Sequence, residues 1–188
     1  MIEEEVTRAL EILKNGGIIL YPTETIWGLG CDATNADAVQ KIYKIKQRTD
    51  AKSMLTLLDS ENRLPSYVEQ VPDLAWDLIE MSDKPLTIIY PKGKNLAVNL
   101  LAADGSIGIR ITTNTFCKRL IHRFKKPIVS TSANLSGDKS PATFSDISQK
   151  IISKVDYTVS ESFAGESTGK SSGIIKLGMN GQVQVIRE

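Results

Sequence analysis

The sequence predicts an α/β protein built on a single mixed sheet that is covered by helices. Three observations lead to this fold class: strand-length apolar runs alternate with amphipathic segments, no internal repeat or low-complexity linker interrupts them, and the chain from Tyr157 onward is rich in strands. Strands interleaved with helices are typical of a sheet covered on its faces. The strand-rich end predicts antiparallel additions, and hence a mixed sheet.

The first segment predicts a helix over residues 2–15, because its apolar side chains recur at helical spacing on one face. A glycine pair follows and supplies a stop, since glycine accepts the positive φ that ends many helices. The apolar run 17–21 then predicts a strand. A polar loop through Asn35 leads into a second amphipathic helix over 36–47.

The alternation continues to the end of the chain, and the polar stretch 161–173 is predicted to be a loop. The remaining predicted elements, in chain order, are strand 54–58, helix 73–81, strands 86–90 and 107–111, helix 115–124, strand 128–131, helix 144–152, and strands 157–159, 174–177 and 183–186.

The composition is that of an ordinary soluble globular protein: 41% of the 188 residues are hydrophobic, and 23 basic against 22 acidic side chains give a net charge of +1. This length favours one domain over residues 1–188. No apolar run approaches the ~20 residues of a membrane span. The acidic N-terminus lacks the features of a signal peptide, so we expect a cytoplasmic protein with no membrane partner.

The cysteines and the histidine are interpreted as structural. Cys31 and Cys117 lie far apart and outside any C-x-x-C pair, so they are predicted to be buried free thiols. His122 lies in a basic predicted helix and is expected to face solvent, because the partners of a metal site or catalytic triad are missing. No metal ligands are predicted.

Residues 164–171 resemble a loosened phosphate-binding loop, with Ala164 in place of the first glycine. Such a loop works because its amides and the N-terminus of the following helix converge on phosphate. Here a β-rich run over 174–177 follows and has no helical period. The context therefore argues against a nucleotide hydrolase of this type.

Two polar clusters lie where ligands bind in open α/β sheets, just past predicted strand ends. The segment 21–30 combines two threonine hydroxyls, a carboxylate and two glycines, and the segment 130–137 is rich in Ser and Asn. Arg110 lies inside an apolar strand and could reach an anion at the sheet edge. Capped turns and an outward-facing arginine are the simpler alternatives for these three features.

Two cations, Lys46 and Arg48, lie at the end of the second predicted helix, and Lys52 follows closely. A lysine point charge beside a planar guanidinium suits a polyphosphate. The alternative is an exposed basic helix end that complements the helix dipole.

One set of motifs extends along nearly the whole chain: 21–25 with 28–30, Lys46-x-Arg48, 84–87, 108–110, 132–134 with 136–137, and Ser172. In order and spacing, these motifs resemble those of the YrdC-type threonylcarbamoyl-AMP synthases. The resemblance implies a single YrdC-like domain with a twisted sheet and a concave, positively lined cavity. There, L-threonine, bicarbonate and ATP would become threonylcarbamoyl-adenylate and pyrophosphate. The adenylate would feed a tRNA modification through threonylcarbamoyl-transferase subunits. Mg²⁺ would arrive with ATP, because magnesium keeps water and phosphate ligands.

The resemblance also implies residue roles. Lys46 and Arg48 would be catalytic. The residues implied for L-threonine are Thr25, Arg110, Ser132 and Ser172. Those implied for ATP are Lys46, Arg48, Lys52, Ser106, Asn134, Ala142 and Arg187, with Ser140 near the adenine.

The chain departs from the family pattern at Thr49, Lys84, Thr112 and Gly173, where Pro, Gly, Pro and Thr or Glu are usual. A paralogue of the same fold with another substrate is therefore one alternative. Another is a module that binds tRNA or double-stranded RNA through the basic stretches 41–52 and 118–126. A net charge of +1 and the lack of RNP aromatics argue against that module as the main role.

Overall fold

The computed structural model describes residues 1–47 and 54–188. The strands are β1 (Ile19–Tyr21), β2 (Gly28–Gly30), β3 (Leu55–Leu58), β4 (Leu86–Tyr90), β5 (Ile107–Ile111), β6 (Ile128–Ser132), β7 (Tyr157–Thr158), β8 (Gly173–Leu177) and β9 (Val183–Arg187). The helices are α1 (Ile2–Lys14), α2 (Ala36–Ile45), α3 (Leu64–Tyr67), α4 (Asp73–Met81), α5 (Thr115–Phe124) and α6 (Gln149–Ile152).

These strands form one sheet in the order β7-β1-β2-β6-β3-β5-β4-β8-β9. Neighbours run parallel in β1–β7, β3–β5 and β4–β8, and antiparallel in the other pairs. The predicted mixed α/β class is confirmed. The prediction of antiparallel additions after residue 157 is confirmed for the β8–β9 pair. It is wrong for the way in which β7 joins β1 and β8 joins β4, because long crossings bring the chain back in parallel orientation.

Helices cover both faces of the sheet. α1 and α5 pack together on one face, with Leu10 and Leu120 among their buried side chains. α2, α4 and α6 contribute to a second core on the other face, which includes Ile42. Burying one such side chain contributes about 1.5–3 kcal/mol. None of the helices in the described ranges is long and apolar enough to span a bilayer.

β2 was predicted to be part of a loop, and it is instead a fully buried strand between β1 and β6. Its sequence, Gly-Leu-Gly, has low strand propensity, because glycine offers no side chain to pack. Close packing explains the residue choice. A Cβ at Gly30 would lie 2.6 Å from the Tyr21 ring and 2.9 Å from the Val129 carbonyl oxygen.

Gly30→Ala is expected to lower the free energy of unfolding by about 3 kcal/mol. Overpacking typically costs about 1–3 kcal/mol, and the upper value applies because the added methyl group would contact a backbone carbonyl that cannot move aside easily. Urea denaturation measures the change. Gly173→Ala is the matched control, because a Cβ there meets no atom closer than 3.6 Å. Equal effects of the two substitutions would contradict the packing explanation.

The predicted helix over 144–152 is wrong in its middle. A 3₁₀ turn covers Phe144–Asp146, Ile147 is extended at φ −78° and ψ 125°, and α6 begins only after Ser148. Ser148 accepts a hydrogen bond from the Lys150 N–H through its hydroxyl. Such side-chain bonds to the backbone favour helix starts over helix interiors. The short α3, which contains Pro65, was not predicted.

Thr56, in β3, is fully buried, and its hydroxyl has no hydrogen-bond partner within the described ranges. An unsatisfied buried hydroxyl costs about 1–3 kcal/mol. Thr56→Val should therefore raise the free energy of unfolding by about 1 kcal/mol, as measured by urea denaturation. A destabilised valine variant would show that the hydroxyl contributes to folding.

The two cysteines are buried and free, as predicted, and burial raises the pKa of both thiols well above the usual range. His122 is exposed and lies 3.5 Å from an Asp59 carboxylate oxygen. Its predicted position on a solvated helix face is confirmed.

Candidate active site

A cavity of about 200 Å³ lies on the face of the sheet that α1 and α5 cover elsewhere. Along β6, Ile128 packs under those helices, whereas Ser130 and Ser132, on the same face, line the cavity. Gly108 and Arg110 line it from β5. The same face therefore changes from apolar core to polar site within single strands.

The cavity brings together several residues that the sequence predicted. The predicted residues in its wall are Thr25, Arg110, Ser132, Ser172 and Arg187. Thr87, Ser130 and Ser171 also line it and were given no individual site role from the sequence, although Thr87 lies in the motif 84–87 and Ser130 in the polar cluster 130–137. The role of Ser130 could have been recognised, because it lies two residues before Ser132 on the same face of a strand.

Arg110 forms a buried ion pair with Glu24, with 2.8 Å between Nε and Oε1, and the side chains are 3% and 8% exposed. The N–H of Nε is not directed at Oε1, so the contact is electrostatic rather than a well-formed hydrogen bond. The described residues offer no hydrogen-bond partner to Nη1 and Nη2 of Arg110. Glu24 thus contacts the guanidinium at Nε, and the two terminal nitrogens, Nη1 and Nη2, stay available to an anion.

Arg187 supplies a second guanidinium, and its Nε donates to the Ser172 carbonyl oxygen at 2.8 Å. Partial burial and the positive charge of Arg110 lower the pKa of Arg187. The Ser172 hydroxyl bonds the Thr87 hydroxyl at 2.7 Å. Two arginines near one cavity, with Glu24 compensating one of them, favour a ligand that carries negative charge.

Thr25 presents a hydroxyl whose hydrogen bonding is fixed by its neighbour. The Thr23 hydroxyl donates to the Ile26 carbonyl oxygen at 2.8 Å and accepts from the Thr25 N–H at 3.1 Å. Because Thr23 has a single hydroxyl proton, its 2.8 Å contact with Thr25 Oγ1 requires Thr25 to donate. The lone pairs of Thr25 Oγ1 remain available to accept from a ligand.

The polar stretch after β7 forms a wall of the cavity, and it packs on the loop between β1 and β2. The Ser167 hydroxyl donates to the Thr25 carbonyl oxygen at 2.5 Å, and the Thr168 N–H donates to the Glu24 carbonyl oxygen at 3.0 Å. Strand β8 follows this wall directly. The argument against a phosphate-binding loop, which needs a helix at this point, is therefore confirmed.

Lys46 lies beside the cavity rather than in its lining. Its ammonium is buried and donates to the carbonyl oxygens of Ser132 at 2.5 Å and Asn134 at 2.7 Å. It thereby ties the end of α2 to the turn after β6. Arg48 and Lys52, the other two predicted cations, lie outside the described residues.

The remaining described residues predicted for ATP, Asn134, Ser106 and Ala142, do not line the cavity. Asn134 donates through Nδ2 to the carbonyl oxygens of Leu135 and Asp138, and its buried Oδ1 has no partner within the described ranges. Ser106 precedes β5 and is buried, on the same face as Arg110 but at the opposite end of the strand. Ala142 is exposed, in the turn before Phe144, whose ring packs 5.0 Å from the cavity residue Trp27.

The departures from the family pattern have different structural settings. Thr49 lies outside the described residues. Lys84 is exposed before β4 and does not line the cavity, and Gly173 begins β8 with space for a side chain. Thr112 is fully buried, and its hydroxyl donates to Glu24 Oε2 at 2.7 Å.

Comparison with known proteins defines the class to which this fold and cavity belong. The Sua5/YciO/YrdC family model, described as "Telomere recombination", matches residues 11–188. The chain therefore belongs to the Sua5/YciO/YrdC family, and the predicted resemblance is confirmed.

Particular relatives are similar over most of the chain. A threonylcarbamoyl-AMP synthase of Pseudoalteromonas translucida is 34% identical over 184 residues, which are 96% of this chain and 97% of the relative. The crystal structure of P. abyssi Sua5 complexed with L-threonine is 25% identical with a TM-score of 0.83, and covers 92% of this chain. The match spans 50% of that Sua5 chain. The E. coli YciO structure is 25% identical with a TM-score of 0.80, over 97% of this chain and 88% of YciO.

Proposed function

We propose that the protein is a threonylcarbamoyl-AMP synthase, an enzyme that makes threonylcarbamoyl-adenylate and pyrophosphate from L-threonine, bicarbonate and ATP. The observation that carries the proposal is Arg110, a buried guanidinium that lines the cavity and contacts Glu24 only through Nε. The relatives named threonylcarbamoyl-AMP synthase, and the Sua5 structure with L-threonine, support the same conclusion.

The cavity suits L-threonine in size and chemistry. At about 200 Å³ it is smaller than the ~300–1,000 Å³ of pockets that enclose a drug-sized ligand. The Arg110 fork matches a carboxylate in a bidentate geometry. Thr25 Oγ1 accepts from the ammonium or hydroxyl group of the substrate, and Ser132 and Ser172 add hydroxyls on the facing walls.

ATP then extends across the mouth of the cavity. Arg48, Lys52 and Arg187 are proposed to face its phosphates, and Lys46 is proposed to add its positive charge from behind the turn after β6, where two carbonyl oxygens hold its ammonium. Ser106, Asn134 and Ala142 are proposed to contact the nucleotide. Asn134 Oδ1 is an acceptor without a partner in the described part of the chain, which suits an amino group of the base. The described residues contain no cluster of three or more metal-ligating side chains, and Mg²⁺ is proposed to arrive bound to the ATP phosphates.

The chemistry depends on positions and charges. The amine of L-threonine attacks bicarbonate, and loss of water gives a carbamate. A carbamate oxygen then attacks the α-phosphorus, and pyrophosphate leaves with the bond electrons. No protein nucleophile is needed. Arginine and lysine charges stabilise the transition state, and holding three reactants together removes much of the entropic cost of the reaction.

The test is pyrophosphate release by the purified protein with ATP, Mg²⁺ and bicarbonate, with and without L-threonine. We expect release that depends on threonine, with L-serine as a poor substitute. Mass spectrometry of the product should show the threonylcarbamoyl-adenylate. Release that does not respond to threonine would favour a paralogue of the same fold that uses another substrate.

Direct binding of tRNA or double-stranded RNA by this protein is a separate prediction. The basic stretch 118–126 is partly neutralised, because Arg119 and Arg123 contact Glu3, and Lys126 pairs with Asp32 at 2.7 Å. These ion pairs reduce the charge available to phosphates. Transfer of the product to tRNA is therefore proposed to need the threonylcarbamoyl-transferase subunits.

A further inference from the structure

We infer that Thr112 is a positioning residue for Arg110 and that it acts through the Glu24 carboxylate. The inference rests on the proposed function, because it assigns Arg110 to the carboxylate of L-threonine. Thr112 follows β5 directly, is fully buried, and donates its backbone N–H to the Leu58 carbonyl oxygen at 3.0 Å. Its side chain therefore starts from a fixed backbone.

The direction of the hydrogen bond is fixed as well. The Asn114 N–H donates to Thr112 Oγ1 at 3.3 Å, and Thr112 Oγ1 lies 2.7 Å from Glu24 Oε2. An ionised carboxylate can only accept, and a hydroxyl has one proton. The proton of Thr112 must therefore point at Glu24.

This bond selects one orientation of the carboxylate. The terminal torsion of a glutamate is broad and roughly two-fold, so the ion pair with Arg110 alone does not fix the carboxylate plane. Thr112 holds Oε2 while Oε1 faces Arg110 Nε at 2.8 Å. With the carboxylate fixed, the guanidinium of Arg110 keeps one orientation in the cavity wall.

The same network reaches the cavity wall. Asn114 caps α5 through Oδ1, which accepts from the Cys117 N–H, and its Nδ2 donates to the Ala164 carbonyl oxygen at 3.0 Å. Thr112 therefore connects Glu24 with the cap of α5 and, through Asn114, with the polar stretch after β7.

The experiment compares Thr112→Val with Thr112→Ser in the full chain. The valine variant keeps the branched shape and loses the hydroxyl, whereas the serine variant keeps the hydroxyl. We expect Thr112→Val to raise the KM for L-threonine about tenfold and to leave kcat within about twofold, because a hydrogen bond to a charged group is lost from ground state and transition state alike. Titration calorimetry of L-threonine should show the same loss of affinity.

Thr56→Val is the matched control, because it removes a buried hydroxyl from β3 that does not line the cavity and has no hydrogen-bond partner within the described ranges. Both it and Thr112→Ser should keep the KM of the parent protein. If Thr112→Val does not fold, as judged by circular dichroism, Thr112→Ala removes the same hydroxyl and is judged by the same criteria.

The possible failures are distinguishable. A parent protein that neither binds L-threonine nor releases pyrophosphate in response to it would overturn the proposed function and this inference together. An active parent protein whose KM is unchanged in Thr112→Val would overturn the inference alone. So would a Thr112→Ser variant that loses as much affinity as Thr112→Val.

Discussion

Arg110→Lys is expected to raise the KM for L-threonine about tenfold to a hundredfold, because a charged hydrogen bond contributes about 1.5–3 kcal/mol and lysine cannot form the bidentate pair. The positive charge stays, so Glu24 keeps a buried partner and the fold should be retained. Steady-state pyrophosphate release at varied L-threonine measures the change. The KM for ATP should change much less, since the Arg110 guanidinium is proposed to contact only the amino acid.

Arg63→Lys is the control for this substitution. Arg63 also pairs with a carboxylate, at 2.9 Å from Asp59 Oδ1, and it does not line the cavity. Its lysine variant should keep the KM for both substrates. An Arg110→Lys enzyme with an unchanged KM for L-threonine would remove Arg110 from the carboxylate site.

Elements with strong periodicity could be predicted from the sequence. α1 and α5 follow from apolar side chains at helical spacing, and β4 and β5 follow from apolar runs of strand length. β2 could not be predicted, because Gly30 is selected by the close approach of Tyr21 from the neighbouring strand and of Val129 from a distant part of the sequence. The direction in which β7 and β8 join the sheet has no local signal either.

The candidate site likewise has residues that could be predicted from the sequence and residues that could not. A guanidinium in an apolar strand and hydroxyls past strand ends are visible in the sequence, and Arg110, Thr25 and Ser132 do line one cavity. The role of Glu24 was missed, because its partner Thr112 is 88 positions away and only the fold brings them together. The predicted end of α2 also gave no sign that Lys46 turns inward to two backbone carbonyls.

Single and double substitutions of the Glu24–Arg110 pair are expected to have opposite effects on stability. Glu24→Gln removes the charge that compensates a guanidinium only 3% exposed. Breaking a buried ion pair from one side costs about 3–5 kcal/mol, because the remaining charge is buried without compensation. Urea denaturation should therefore show a loss of this size, and pyrophosphate release should fall with it as Arg110 loses its orientation.

Adding Arg110→Met to Glu24→Gln should restore at least about half of that stability, since an uncharged buried pair of similar volume is often as stable as the ion pair it replaces. The double variant should nevertheless stay inactive with L-threonine, because no cation remains at the site of its carboxylate. This separation of stability from activity would show that the buried pair is retained for function. A double variant that is no more stable than Glu24→Gln alone would contradict the charge argument and would indicate that the side chains matter through packing.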